Sequence, residues 1–193
     1  MLAGDSSPQW EVDVPFDERM FLSVPIDVRA DHTVVADWVA QTVDRFNIQD
    51  GWDRDAPELR YRLEGQVRLL SDQALAAFLL CPRGLPGDAL VEVFVADTDA
   101  TRLEDISLEH AAALPQRVHS ITSPDLGEGR AVSTLIALED GVPLGQIRHQ
   151  FLSGGVFVDV TAASTDLGIL GACLVAIETL STGIRVRRVQ VAS

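Results

Sequence analysis

Apolar residues recur along this chain with two periods, near two and near three and a half, and the switches between them mark its elements. Phe21 to Val28 alternates loosely and contains Pro25, which suits an edge strand because proline has no N–H for a neighbouring ladder. Val35, Val39, Val43 and Phe46 then fall at helical spacing. Trp38 widens that stripe, Asp31 or Thr33 is placed to cap the helix, and Asp37, Gln41, Asp44 and Arg45 take the opposite face. Gln49 to Asp55 reads as a turn. Asp55, Pro57 and Glu58 have the composition of a helix start, and Leu59, Leu63, Val67 and Leu70 continue it as a second amphipathic helix.

Two apolar runs, Ala74 to Cys81 and Leu90 to Ala96, flank Pro82 to Asp88, a segment that neither helix nor strand could absorb. A hairpin is the reading, although the alanines of the first run also suit a helix. Thr101 and Glu104 have capping-box spacing, which predicts a short helix over Leu103 to Leu114 that stops at Pro115. Asp125 to Arg130 contains Gly-x-Gly without a strand-to-helix context and reads as a loop. Ala131 to Leu138 and Leu144 to Leu152 are strands joined at Asp140-Gly141, and Gly154-Gly155 turns the chain into Val156 to Ala163. If the two glycines form a two-residue turn, Ile147, His149 and Phe151 share a face with Val158, Val160 and Ala162. Arg148 and Gln150 then lie opposite Thr161 and Asp159. A three-residue loop would mix the faces and is rejected. Ser164 or Thr165 can cap a last helix, Asp166 to about Leu180, and Ile184 to Val191 alternates as a further strand.

These elements describe one α+β domain over 1–193, in which an antiparallel β-sheet packs against an N-terminal helix pair and a C-terminal helix; residues 1–19 read as a loosely structured leading segment. A strand meander leading directly into a C-terminal helix, after an N-terminal strand and helix, resembles the PsbP-like α+β group over Ala131 to Leu180. The resemblance lies in element order. It implies an architecture and a leaning towards small binding or accessory proteins, and it transfers no functional residue.

Composition narrows the chemistry. All 15 cationic residues are arginine, so Schiff-base, phosphate-loop and general-base lysines are excluded. A net charge of -14 repels phosphate backbones and anionic lipid, so neither nucleic acid nor a membrane surface is an expected partner. Met1 to Val12 lacks the basic and apolar stretches of a signal peptide, and the longest apolar run, Leu167 to Ile177, is far shorter than the about 20 residues of a membrane span. A cytoplasmic protein is expected. Cys81 and Cys173 stand alone and read as buried thiols.

No constellation of catalytic residues survives inspection. His149 and Asp159 invite an acid-base dyad, but the favoured register sends their side chains to opposite faces. Ser133 and Ser153 lack a nucleophile elbow. Asp50, Asp53, Asp55 and Glu58 fail the calcium-loop spacing, and His110 and His119 fail that of a zinc pair, so no metal or cofactor is implied. Arg185, Arg187 and Arg188 read as a solvated strand face.

The remaining feature is the last helix. Leu167 to Ile177 is apolar nearly all round, with Gly168, Gly171 and Ala172 forming a small-residue stripe, so cover is needed on more than one side. Leu167, Gly168, Leu170, Gly171 and Leu174 are therefore the candidate residues for contact with a protein partner or a second copy. The expected function is a non-catalytic protein-binding or accessory module, with a basic partner as a special case. The alternative is a small-molecule-binding or hydrolytic domain, for which Arg148, His149 and Asp159 would have to surround one cavity.

Overall fold

The computed structural model describes residues 9–26, 32–50, 56–82, 89–107, 112–139 and 141–189. Among them seven strands form one antiparallel sheet in the order β2 (Phe21–Val24), β3 (Ala76–Leu80), β4 (Leu90–Asp97), β8 (Val156–Ser164), β7 (Pro143–Ser153), β6 (Gly127–Ala137) and β5 (Arg117–Ser123). The chain leaves β4 at the middle of the sheet and crosses to the far edge. It then returns strand by strand until β8 closes onto β4. A separate two-stranded ribbon pairs β1 (Gln9–Asp13) with β9 (Arg185–Val189). The helices are α1 (His32–Asp50), α2 (Ala56–Arg68), α3 (Leu167–Ala172) and α4 (Leu174–Thr182).

The meander has the register that the glycine turn requires. Ser153 pairs with Val156, Phe151 with Val158, His149 with Val160 and Ile147 with Ala162, and Gly154 and Gly155 supply the positive φ of a tight hairpin. One face of the sheet is thereby apolar across β4, β8, β7 and β6. Val91, Val93, Val158, Val160, Ile147, Phe151 and Ala131 form a core there with Leu170, Cys173, Ile177 and Leu180 of the last helices. Trp10, Val12 and Val186 of the ribbon pack against the same core. On the other face, Val24, Ala77, Leu79 and Leu90 form a second core with Val39 and Val43 of α1 and Leu63 and Val67 of α2. The stripe predicted for the first helix is thus its packed face, with Val39, Val43 and Phe46 buried and Val35 and Trp38 partly so.

Several expectations are corrected. The leading segment 1–19 is not uniformly loose, because Gln9–Asp13 is a strand held by β9. The strand of Phe21 to Val28 ends at Val24, and 27–28 lie outside the described residues. Gln49 and Asp50 belong to α1 rather than to a turn, and 51–55 lie outside the described residues, including Asp53 and Asp55. The described part of Leu103 to Leu114 holds no α-helix, only a single 3-10 turn, Leu103–Asp105, that follows an Arg102 cap without a side-chain bond; 108–111 lie outside the described residues. Ala112 instead bridges to Ile136. The supposed loop at Asp125 to Arg130 contains the start of β6. Its Gly127 turns the chain with φ 81°, and a Cβ on Gly129 would lie 2.5 Å from the Phe151 ring. Gly129 is therefore required by close packing under Phe151, not by a ligand.

The last helix is not continuous either. It breaks at Cys173, whose N–H is shared between Ile169 O at 3.0 Å and Leu170 O at 3.2 Å. Glycine at 168 and 171 weakens the helix around this joint. Asp166, rather than Ser164 or Thr165, is the N-cap, accepting from Gly168 N–H at 2.9 Å and Ile169 N–H at 3.1 Å.

Candidate interaction sites

The five residues singled out on the last helix do not share a role. Leu170 points into the core and is 4% exposed, so it is removed from the candidate surface. Leu167 and Leu174 are 44% and 46% exposed, and Gly168, Gly171 and Ala172 are exposed between them. Val175, one turn beyond Gly171, is 79% exposed and extends the same side. Leu170, Cys173, Ile177 and Leu180 take the opposite side. A run that is apolar all round cannot reveal which side meets the sheet; the core takes Leu170, Cys173, Ile177 and Leu180. An ideal Cβ on Gly171 meets nothing within 4 Å, so this side of the helix faces open space within the chain.

His149 and Asp159 are separated by the sheet, as their register demands. On the apolar face, buried His149 places Nδ1 2.9 Å from Ser181 Oγ. The Ser181 hydroxyl already donates to Ile177 O at 2.7 Å, so His149 donates to it from Nδ1. Burial, helped by His119 nearby, lowers its pKa from 6.5 to about 4.

On the other face, Arg148 and Asp159 form a largely buried ion pair. Arg148 Nε lies 3.3 Å from Asp159 Oδ1, and its Nη2 donates to Oδ2. Gln150 Nε2 donates to the same carboxylate at 3.2 Å, while Gln150 Oε1 accepts from Arg130 Nε at 2.7 Å. Arg130 Nη2 then reaches Ile106 O at 2.9 Å and pins the crossover that follows β4. Paired charges inside a sheet face fix register and tether a segment at least as readily as they perform chemistry. The cavity required for the hydrolytic alternative is not formed from this trio, since His149 is on the far side. One row along, the register partners Thr134 and Gln146 keep Oγ1 and Oε1 buried without a hydrogen-bond partner among the described residues.

The other sequence candidates resolve individually. His110 lies outside the described residues, and His119 is exposed on β5. Among the described residues no group of three or more His, Cys, Asp or Glu side chains could hold a metal ion. None of the described helices is long and apolar enough to cross a membrane. Arg185 sits 3.4 Å from both Asp13 and Asp125, and Arg188 sits 3.5 Å from Asp97 and over the Trp10 ring. Two of the three clustered arginines thus tie the ribbon to its own chain. No protein-family model matches this chain, and no curated protein matches it.

Proposed function

We propose that this chain is a protein-binding or accessory module without catalytic activity, whose contact surface is the outer side of α3 and α4 and whose simplest partner is a second copy of itself. The observation that carries the reading is Leu167, Leu174 and Val175 standing exposed around the open backbone at Gly171. Exposed aliphatic side chains beside residues that allow close backbone approach are favourable ground for helix packing, and two-fold pairing is the commonest way to cover such a patch. The same reading takes the architecture as PsbP-like, with the N-terminal helix pair and the C-terminal helix on the sheet, because the β5–β8 meander runs directly into α3. It also places the protein in the cytoplasm. Two unpaired buried thiols support that setting, with burial pushing Cys81 up to about 12.

Sedimentation of the wild type and Gly171→Arg tests the proposal. The wild type should sediment as a dimer at high micromolar concentration. Because space surrounds Gly171, the arginine should leave the circular dichroism spectrum unchanged while halving the mass. A wild type that remains monomeric at that concentration would overturn self-association through this face.

A further inference from the structure

α1 presents two sides to the rest of the chain. Val39, Val43 and Phe46 are buried, whereas Trp38, Gln41, Thr42 and Arg45, spaced three and four apart, share a neighbouring side. That side borders a groove of about 310 Å³ along β2, whose other wall carries Phe16 and Glu18. The aromatic residues of both walls are held in place. Phe16 packs on Phe78 with ring centroids 4.8 Å apart, and Trp38 donates its indole N–H to Ser23 O at 3.2 Å. Phe78 is the register partner of Ser23, so the two rings stand at the same end of the groove, one from each wall.

The opposite end is charged. Cys81 N–H donates to Met20 O at 2.8 Å, and Arg45 lies within electrostatic reach of Cys81. Met20 closes a turn from Asp17 that carries Glu18, so Arg45 and Glu18 border the groove together at its Met20 end. Arg19, the base beside Glu18, is taken up by Asp17, which accepts its backbone N–H, Nε and Nη2 at 3.0, 2.9 and 2.8 Å. The ion pairs among the described residues include neither Glu18 nor Arg45.

Thr42 lies between the two ends, one turn from Trp38 and one from Arg45. It is only 4% exposed. The helical residues Thr179 and Thr182 each give their hydroxyl to the carbonyl one turn back at 2.8 Å, but the Thr42 hydroxyl makes no such bond among the described residues. A buried hydroxyl without a partner is a cost that a bound acceptor removes.

The charges restrict what can fill this groove. A plain carboxylate meets Arg45 but also Glu18 and a chain of net charge -14, and a plain amine meets Glu18 but also Arg45. A molecule with both charges close together satisfies both side chains at one end and sends an apolar group between Phe16 and Trp38 at the other. Trp38 and Arg45 are about 10 Å apart along the helix axis, a span that one amino acid and the reach of the arginine fill. The volume is also at the small end for ligand pockets, which run from about 300 to 1,000 Å³.

We infer that the groove along β2 binds a free α-amino acid with a large apolar side chain, its carboxylate on Arg45 and the Thr42 hydroxyl, its ammonium on Glu18, and its side chain between Phe16 and Trp38. The site is separate from the α3–α4 surface and does not rest on it.

The test titrates the full chain with L-phenylalanine, L-leucine, L-phenylalaninamide and N-acetyl-L-phenylalanine, following the Trp38 indole N–H by NMR, with the signal assigned by its loss in Trp38→Phe. At least one of the two amino acids should shift that signal saturably. The amide and the acetylated compound should each bind roughly tenfold more weakly than phenylalanine or worse, since each lacks one of the two charges. Arg45→Gln should bring phenylalanine down to the affinity of its amide, and Glu18→Gln to that of its acetylated form; both positions are exposed, so the fold should persist. Should either variant fail to fold, the ligand series on the wild type decides by itself. Thr42→Val, which keeps the side-chain shape, should weaken binding several-fold, and Gly171→Arg should leave it intact. Four results would overturn the proposal: no saturable shift with either amino acid, the amide binding as tightly as phenylalanine, the acetylated compound doing so, or affinity unchanged in a folded Arg45→Gln or Glu18→Gln. The second result would make the groove a site for a peptide N-terminus, and the third a site for a plain carboxylate or a peptide C-terminus.

Discussion

His149 shows how a single side chain acquires a pH signature from its surroundings. The ring is held neutral by burial, and its Nδ1–H is committed to Ser181, whose own proton goes to Ile177 O. Its pKa in the folded protein is about 4 against 6.5 in an open chain. On unfolding the ring gains a proton more readily, so its contribution to stability is complete above pH 6.5 and is lost as the pH falls towards about 4. The shift corresponds to a few kcal/mol, on the order of 3. Urea unfolding across that window should show a fall in stability that His149→Gln largely removes. An equal fall in both proteins would mean that carboxylates, not this histidine, set the acid limb. The neighbouring Arg148–Asp159 pair teaches a related lesson, since alternation alone separates it from His149. The sequence reading recovered that separation because one glycine turn sets the parity of the whole hairpin.

At the scale of elements, what was legible depended on whether the deciding contacts were local. Gly154 and Gly155 and the alternation on both sides determine β7 and β8 within a few residues of chain. The stripe of α1 is equally self-contained. β5 escaped notice because Arg117, Val118, His119 and Ser120 are all exposed, leaving an edge strand with little apolar alternation to read. The capping-box spacing at Thr101 and Glu104 is also local, yet the crossover there is held from outside by Arg130 on Ile106 and by the bridge of Ala112 to Ile136. β1 depends on residues from the other end of the chain. The outer residues of α3 and α4 were legible as candidates, whereas the split of that run into a buried and an exposed side was not, because only packing on the sheet decides it. The buried stripe of α1 gives a direct check. Val39 is fully buried between helix and sheet, so Val39→Asp should cost about 3–5 kcal/mol and lower the melting temperature by 10 °C or more, roughly. Unchanged melting would mean that α1 does not pack on β2, β3 and β4.

At the scale of the whole molecule, the net charge of -14 acts on any association, and the sign of its effect separates two kinds of partner. Two copies meeting through Leu174, Val175 and the open Gly171 bring like charges together, while the contact itself gains from apolar burial. Salt screens the repulsion, with a Debye length of about 30 Å at 0.01 M and about 8 Å at 0.15 M, and leaves the apolar gain in place. The dimer should therefore tighten as sodium chloride rises over that range. A basic protein steered by the acidic surface behaves in the opposite way, binding more weakly and associating more slowly as attraction is screened. The ribbon does not blur this distinction, because Arg185 and Arg188 already face Asp13, Asp125 and Asp97 of their own chain. Sedimentation equilibrium at low and physiological salt measures the sign directly. Should the dimer loosen as salt rises, ion pairs rather than the exposed side of α3 and α4 would hold it together, and the contact surface would have to be sought among charged residues.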